Sequence, residues 1–309
     1  MNFERTITSA PQVEATYKSR DVEGLIDIYF YRKVGFFLAR IFARLKWTPD
    51  AVTILGALIG VLAGHLYFYR ELAINIAGMV LHVFANALDN ADGQLARILQ
   101  QRSRAGRSLD GICDAVVFAS VYVNLSLRYV AEGGSPLIGL LAFAAGYCHS
   151  LQSSVADYFR NGYIFFTSRG TSGELDSSEA LRKNVRGLSW RREPLQKFLL
   201  AAFYVNYTRQ QERLAPPQAH LLTAINARGG VSSWLAQEYR RQNRHMTKWF
   251  NFLTVNTRML ILFALLLIGK PIWYLFVELT VFNAVLGFVL VRQNRMSREI
   301  GAELERQPS

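Results

Sequence analysis

Cysteine is scarce in this chain: Cys113 and Cys148 are the only two in 309 residues. Both fall inside apolar runs, so a disulfide framework is not expected and the thiols read as small buried groups. The N-terminal stretch MNFERTITSAPQVEATYKSRDVEG is polar and lacks the apolar core of a signal peptide. Membrane targeting is therefore expected to come from segments further along. No internal repeat is evident. Three connections, Arg70-Glu71, Ala131–Ser135 and Gly269–Pro271, are short and nearly uncharged.

What the chain has is apolar length. Hydrophobic residues make up 51% of it and gather in runs of about twenty, the length needed to cross a bilayer. The basic residues that give a net charge of +12 gather between those runs. This distribution predicts an all-α polytopic membrane protein with six transmembrane helices, at about Ala51–Tyr69, Leu72–Arg97, Leu109–Tyr129, Pro136–Tyr158, Thr254–Ile268 and Ile272–Val291. Before the first lies Gly24–Lys46, where apolar residues alternate with Arg32, Lys33, Arg40 and Arg44, the pattern of an amphipathic helix in the interface plane. The expected organisation is a polar tail over 1–23, an interfacial helix with four spans over 24–160, a basic insertion over 161–250, two spans over 251–292 and a tail over 293–309. Arginines after the second, fourth and sixth spans put those connections, both termini and the insertion in the cytoplasm, with the spans in the cell (inner) membrane. The insertion is expected to lie on the membrane surface. It carries a helix over Glu193–Arg213 that Pro216-Pro217 ends, and a second over Ser232–Asn251 that runs on into the fifth span. Its charge reads as a positive-inside and anionic-lipid feature rather than a nucleic-acid site.

The stretch that carries chemistry is Asp89-Asn-Ala-Asp92-Gly93-Gln-Leu-Ala96-Arg97, followed by Gly106-Arg-Ser-Leu-Asp110-Gly-Ile-Cys-Asp114. Charge at the edge of a bilayer is costly and points to function. Asp89 and Asp92 share one face of the second span, Asp110 and Asp114 one face of the third, and a short basic turn joins the two. Both pairs then sit at one cytoplasmic depth, where they could bind two metal ions. Oxygen ligands favour Mg²⁺, Mn²⁺ or Ca²⁺ over zinc. A two-metal site suits phosphoryl chemistry, with one carboxylate as general base. Gly93 and Ala96 leave room for a bulky substrate, and Arg97 with its neighbours can balance a diphosphate. The competing structural reading is a set of helix ends whose acids pair with Arg97, Arg102, Arg104 or Arg107.

The stretch resembles the signature of the CDP-alcohol phosphotransferase family, D-x-x-D-G-x-x-A-R, eight residues, G-x-x-x-D-x-x-x-D, with every fixed position present. The resemblance covers about 25–160 and 250–292 and leaves the insertion aside. It implies six spans and a cytoplasm-facing site holding two Mg²⁺ or Mn²⁺ ions. CMP is displaced there from a CDP-linked alcohol by the hydroxyl of a second alcohol. By the same resemblance Asp89 and Asp110 bridge the ions, Asp92 and Asp114 complete their shells, and Asp114 is the catalytic base. Gly93, Ala96, Arg97, Ser103 and Gly106 match the CDP-binding side. Thr48-Pro49-Asp50-Ala51-Val52-Thr53 resembles the element that closes over the nucleotide, with Asp50 and Thr53 as contacts. Many members carry Asn where Asp50 stands, and the Asp form looks like the phosphatidylinositol-phosphate synthase branch. A homodimer is also implied.

The acceptor is expected at the cytoplasmic end of the fourth span, where His149, Ser153, Asp157 and Arg160 share a face. His149 reads as an interhelical hydrogen-bonding group. Arg160, with Asp157 beside it, resembles the position that holds the phosphate of an inositol-phosphate acceptor. Lys183, Arg186, Arg191 and Arg192 are further cations within reach of that reading. The leading expectation is transfer from a CDP-lipid, first CDP-diacylglycerol, to a polar alcohol, inositol phosphate first with glycerol phosphate and serine close behind. The alternatives are transfer from CDP-choline or CDP-ethanolamine to diacylglycerol and, in another class, divalent-cation transport. The bilayer, a CDP-lipid donor and an alcohol acceptor are the expected partners, and nucleic acid is not.

Overall fold

The computed structural model describes residues 21–173 and 175–306. The expected polar tail 1–23 lies outside the described residues except for its last three, as do residues 307–309 of the C-terminal tail. Among the described residues the fold is helical throughout, without a strand.

A π turn at Asp27–Tyr31 leads into α1 (Arg32–Arg44). Arg32, Gly35, Phe36 and Ala39 are its buried residues, one face at helical spacing. That face lies on α3 (Leu72–Ile98): a Cβ added at Gly35 would sit 3.1 Å from Asn90 and 3.2 Å from the Ala91 amide. Phe37 and Arg40 face outward. Thr48 caps α2 (Pro49–Leu66), its hydroxyl accepting from the Ala51 amide at 3.3 Å, and Pro49 fills the first position, where its missing N–H costs nothing. Ser103 caps α4 (Arg104–Ala131) in the same way, accepting from Gly106 at 2.9 Å.

A glycine stripe on α2 brings three helices together. A Cβ added at Gly56 would meet Leu88 of α3 at 3.4 Å, whereas one at Gly60 would meet Val117 and one at Gly64 would meet Ser120 of α4, both at 2.6 Å. Both α3 and α4 therefore seat against α2, the close approach that small residues permit between membrane helices.

Among the described residues, five helices are long and apolar enough to cross a membrane: Pro49–Leu66, Leu72–Ile98, Arg104–Ala131, the composite Ser233–Leu267 and the composite Trp273–Arg306. The expected fourth span is present as α5 (Ile138–Thr167), 30 residues long, but it is not among those five. Polar residues interrupt its second half, and several of them, His149, Gln152 and Ser154, turn inward. His149 Nδ1 lies 2.7 Å from the Tyr122 hydroxyl, and Gln152 Nε2 donates to Asn283 Oδ1 at 2.8 Å.

The insertion forms α6 (Ser178–Gly187), α7 (Pro194–Phe198), a π turn at Leu199–Tyr204, α8 (Val205–Leu214) and α9 (Pro216–Ala227). α7, the π turn and α8 make one unbroken helix that ends before Pro216, as its sequence predicts. The expected run into the fifth span is interrupted. α10 (Ser233–Asn243), a 3₁₀ turn, α11 (Thr247–Phe252) and α12 (Val255–Leu267) follow in turn, with Thr254 extended at ψ 172°. α13 (Trp273–Val277), a π turn at Glu278–Phe282 and α14 (Asn283–Arg306) complete the chain.

Arg258 of α12 and Glu278 form a fully buried ion pair, and Arg258 Nη2 also donates to Gln152 of α5 at 2.8 Å. The sequence reading passed over this pair, although two opposite charges inside neighbouring apolar runs are themselves a signal. Arg258→Met is expected to destabilise the protein by about 3–5 kcal/mol, because it strands a buried carboxylate. Arg258→Met combined with Glu278→Leu is expected to recover most of that loss. Unfolding midpoints in detergent measure both.

Candidate active site

The last turns of α3 and the first turns of α4 carry the four acids. One oxygen each from Asp89, Asp92 and Asp110 lies within 4.8 Å of the other two. An ion at about 2.1–2.5 Å from each oxygen fits that spread. Asp114, one turn beyond Asp110, lines the same cavity but is not part of that trio. The cavity is about 30 Å³, with room for ions and water but not for a nucleotide. A CDP group would have to lie at its mouth.

Thr53 acts on the acids directly. Its hydroxyl is 2.5 Å from Asp92 Oδ2 and 3.1 Å from the Pro49 carbonyl, and the carboxylate is the stronger acceptor. Thus the residue expected beside the nucleotide orients a carboxylate. Asp50 is exposed, and its Oδ1 would lie 3.3 Å from a Cβ at Gly106, which would also be 3.1 Å from Ser103 Oγ. The fold thus gathers Asp50, Ser103 and Gly106 at the N-terminal end of α4. A Cβ at Gly93 would meet nothing within 4 Å, so the space beside the backbone there is open, and Ala96 is half-buried.

Two atoms test whether this site suits a cation beside an anion. Asp110 Oδ1 and Arg97 Nη1 are both buried and have no hydrogen-bond partner. A carboxylate oxygen so placed calls for a cation and a guanidinium nitrogen for an anion, since unpaired buried charge is costly. The residues present fit a divalent metal with a diphosphate at its edge.

Two of the neighbouring arginines are engaged elsewhere. Arg104 Nη2 bonds Asp176 Oδ1 at 2.8 Å, and Arg107 Nη1 donates to the Tyr204 hydroxyl at 2.6 Å. Tyr204 in turn donates to Asp176 Oδ2 at 2.8 Å. Burial holds the Tyr204 phenol above its ordinary value, with Arg107 opposing and Asp176 adding to the rise. Lys183 pairs with Glu179 at 2.9 Å on the exposed face of α6, and Arg186, Arg191 and Arg192 are exposed.

At the residues expected to meet the acceptor, Arg160 Nη2 donates to Asp157 Oδ1 at 2.6 Å, and Arg160 Nε is buried without a partner. Asn86 and Val255 also line the cavity, and Asn86 Nδ2 donates to Asn256 Oδ1 at 3.2 Å. The sequence reading missed these residues. Asn86 lies one turn before Asp89 on the same face, a signal that was available, whereas Asn256 is 170 residues away in sequence.

Residues 46–160 match the family model for CDP-alcohol phosphatidyltransferase. The segment belongs to that family. Among its relatives are phosphatidylinositol phosphate synthases of Streptomyces avermitilis, 32% identical over 109 residues, and of Mycobacteroides abscessus, 32% identical over 111. These alignments cover 35% and 34% of this chain and 44% and 46% of the relatives. An archaetidylinositol phosphate synthase of Pyrococcus horikoshii is 34% identical over 90 residues, 29% of this chain and 46% of its own. The chain spans a little under half the length of these curated relatives. The match supports the family and its phosphatidylinositol phosphate synthase branch.

Asp110→Asn removes one charge from the trio. It is expected to weaken Mn²⁺ binding by at least about ten- to a hundredfold, the loss that even outer-shell changes cause. Calorimetry of the detergent-solubilised protein measures it.

Proposed function

We propose that the chain is an integral membrane transferase that displaces CMP from a CDP-lipid, CDP-diacylglycerol first, with the hydroxyl of a polar alcohol. Inositol phosphate is the leading acceptor. The observation that carries this reading is the pairing of an acid trio within 4.8 Å with the unpartnered, buried Arg97 Nη1. The family match and the names of the relatives agree with it.

Mg²⁺ or Mn²⁺, two ions held by Asp89, Asp92, Asp110 and Asp114, would draw charge from the diphosphate when bound. The protein's own groups do the rest. Arg97 takes the diphosphate, and the open space at Gly93 lets it approach the helix. The converging N-terminal ends of α2 and α4 add the partial positive charge of two helix dipoles. Asp114 accepts the proton of the acceptor hydroxyl as its oxygen bonds to the phosphorus that bears the lipid. The bond from that phosphorus to CMP breaks, and CMP leaves with the electron pair. Arg160 holds the acceptor's phosphate, and Asp157 orients Arg160.

The same reading takes α5 as a sixth span and α1 as an interfacial helix. The exposed Leu25, Tyr29, Phe37 and Trp47 support the interfacial placement. It puts both termini, the site and the insertion 161–250 on the cytoplasmic side of the cell membrane. Trp190, Leu195 and Phe198 are exposed beside Arg191, Arg192 and Lys197, which supports a place for the insertion on the lipid surface. A homodimer is part of the proposal. The small, single-level cavity supports a reaction site over an ion pathway.

Purified protein given CDP-diacylglycerol, Mg²⁺ and a panel of alcohols is expected to release CMP, fastest with inositol phosphate. No release with any acceptor would sink the transferase reading, and label from CDP-choline entering lipid would reverse the roles of donor and acceptor. Asp114→Asn is expected to lower turnover by about 10²–10⁴-fold, the usual worth of a general base, with an unchanged unfolding midpoint. Turnover near wild type would remove Asp114 from that role.

A further inference from the structure

The unbroken helix from Pro194 to Leu214 touches both walls of the cleft. Tyr204 meets Arg107 of α4, as described above. One turn later the Tyr207 hydroxyl donates to Asp157 Oδ2 of α5 at 3.3 Å. Gln211, a further turn on, donates to the Ser154 carbonyl at 2.9 Å and fixes the helix on α5. Burial, and next the Asp157 charge, hold the Tyr207 phenol above its ordinary value, so it stays a proton donor at neutral pH.

A carboxylate facing an arginine tends to close a two-pronged fork on it. Here the fork is half made: Asp157 Oδ1 takes Arg160 Nη2, Oδ2 is held by Tyr207, and Arg160 Nε is left unpartnered. We propose that Tyr207, supplied by the insertion, is a positioning residue of the acceptor site that holds Asp157 off Arg160 Nε and keeps that nitrogen for the phosphate of a phosphorylated alcohol. Without the phenol, Asp157 is free to turn and compete with the acceptor for Nε. The inference rests on Arg160 as the acceptor-phosphate cation, and it assigns part of the specificity to a segment outside the matched domain 46–160.

The test uses the full chain in detergent with CDP-diacylglycerol, Mg²⁺ and either inositol phosphate or inositol. Tyr207→Phe is expected to raise the KM for inositol phosphate about three- to tenfold, the equivalent of one hydrogen bond, with kcat and the KM for CDP-diacylglycerol within about twofold of wild type. Calorimetric binding of inositol phosphate is expected to weaken by the same factor. In the Asp157→Asn background the Phe substitution is expected to add nothing, because the two act as one unit. An unchanged acceptor KM, an equal rise in both KM values, or additive effects overturn the role of Tyr207. A wild-type protein that releases no CMP, or that does not prefer inositol phosphate to inositol, overturns the reading of Arg160 and this inference with it.

Discussion

Everything in this structure answers to the mutual repulsion of carboxylates gathered within 4.8 Å at the ends of two apolar helices. Like charges in so little water push their helices apart. The opposing force is packing on a third helix, α2, whose Gly56, Gly60 and Gly64 let α3 and α4 seat closely. Thr53, on the same helix, anchors Asp92 at 2.5 Å. One helix therefore supplies both the mechanical restraint on the acids and a hydrogen bond that aims one of them. The glycines set the distance between the two helices that carry the acids.

Legibility from sequence followed the range of the interactions. Helical periodicity put Asp89 with Asp92 and Asp110 with Asp114, because residues three or four apart must share a face, and the short turn between the pairs left them one depth to occupy. The caps at Thr48 and Ser103 are equally local, although neither was expected from the sequence. What could not be read were contacts between distant segments. Arg104 with Asp176 are 72 residues apart and Tyr207 with Asp157 are 50 apart. Nothing local says which arginine meets which acid. The span count is the weaker part: six were expected, and five helices among the described residues are long and apolar enough, because α5 carries polar residues along its length. The glycine stripe, by contrast, was visible at a spacing of four and simply went unread.

The matched segment and the candidate site are not the same set of residues. The match ends at Arg160, in the middle of α5, which runs on to Thr167. The cavity is backed by Val255 and braced through Asn256, both from beyond the insertion. Asp176 and Tyr204 hold the arginines at the entry to α4. The insertion also shares a core with the rest of the chain: Leu221 and Ile225 of α9 and Leu235 and Tyr239 of α10 pack with Tyr163 of α5 and Ile300 of α14. A core so shared binds the insertion to the bundle instead of leaving it a separate appendage.

The pair of Arg258 and Glu278 bears on how the chain enters the bilayer. Each residue alone at the centre of a span costs about 2.5–3.5 kcal/mol to insert. Only 20 residues separate them, and the turn at Gly269 lies between. Helices released one at a time would each carry that cost, whereas a hairpin delivers the two charges already cancelled. Gln152 of α5 then offers its amide to Arg258, which favours a bundle that waits for the hairpin to arrive. The positions of three polar side chains thus favour entry of the two helices as a pair.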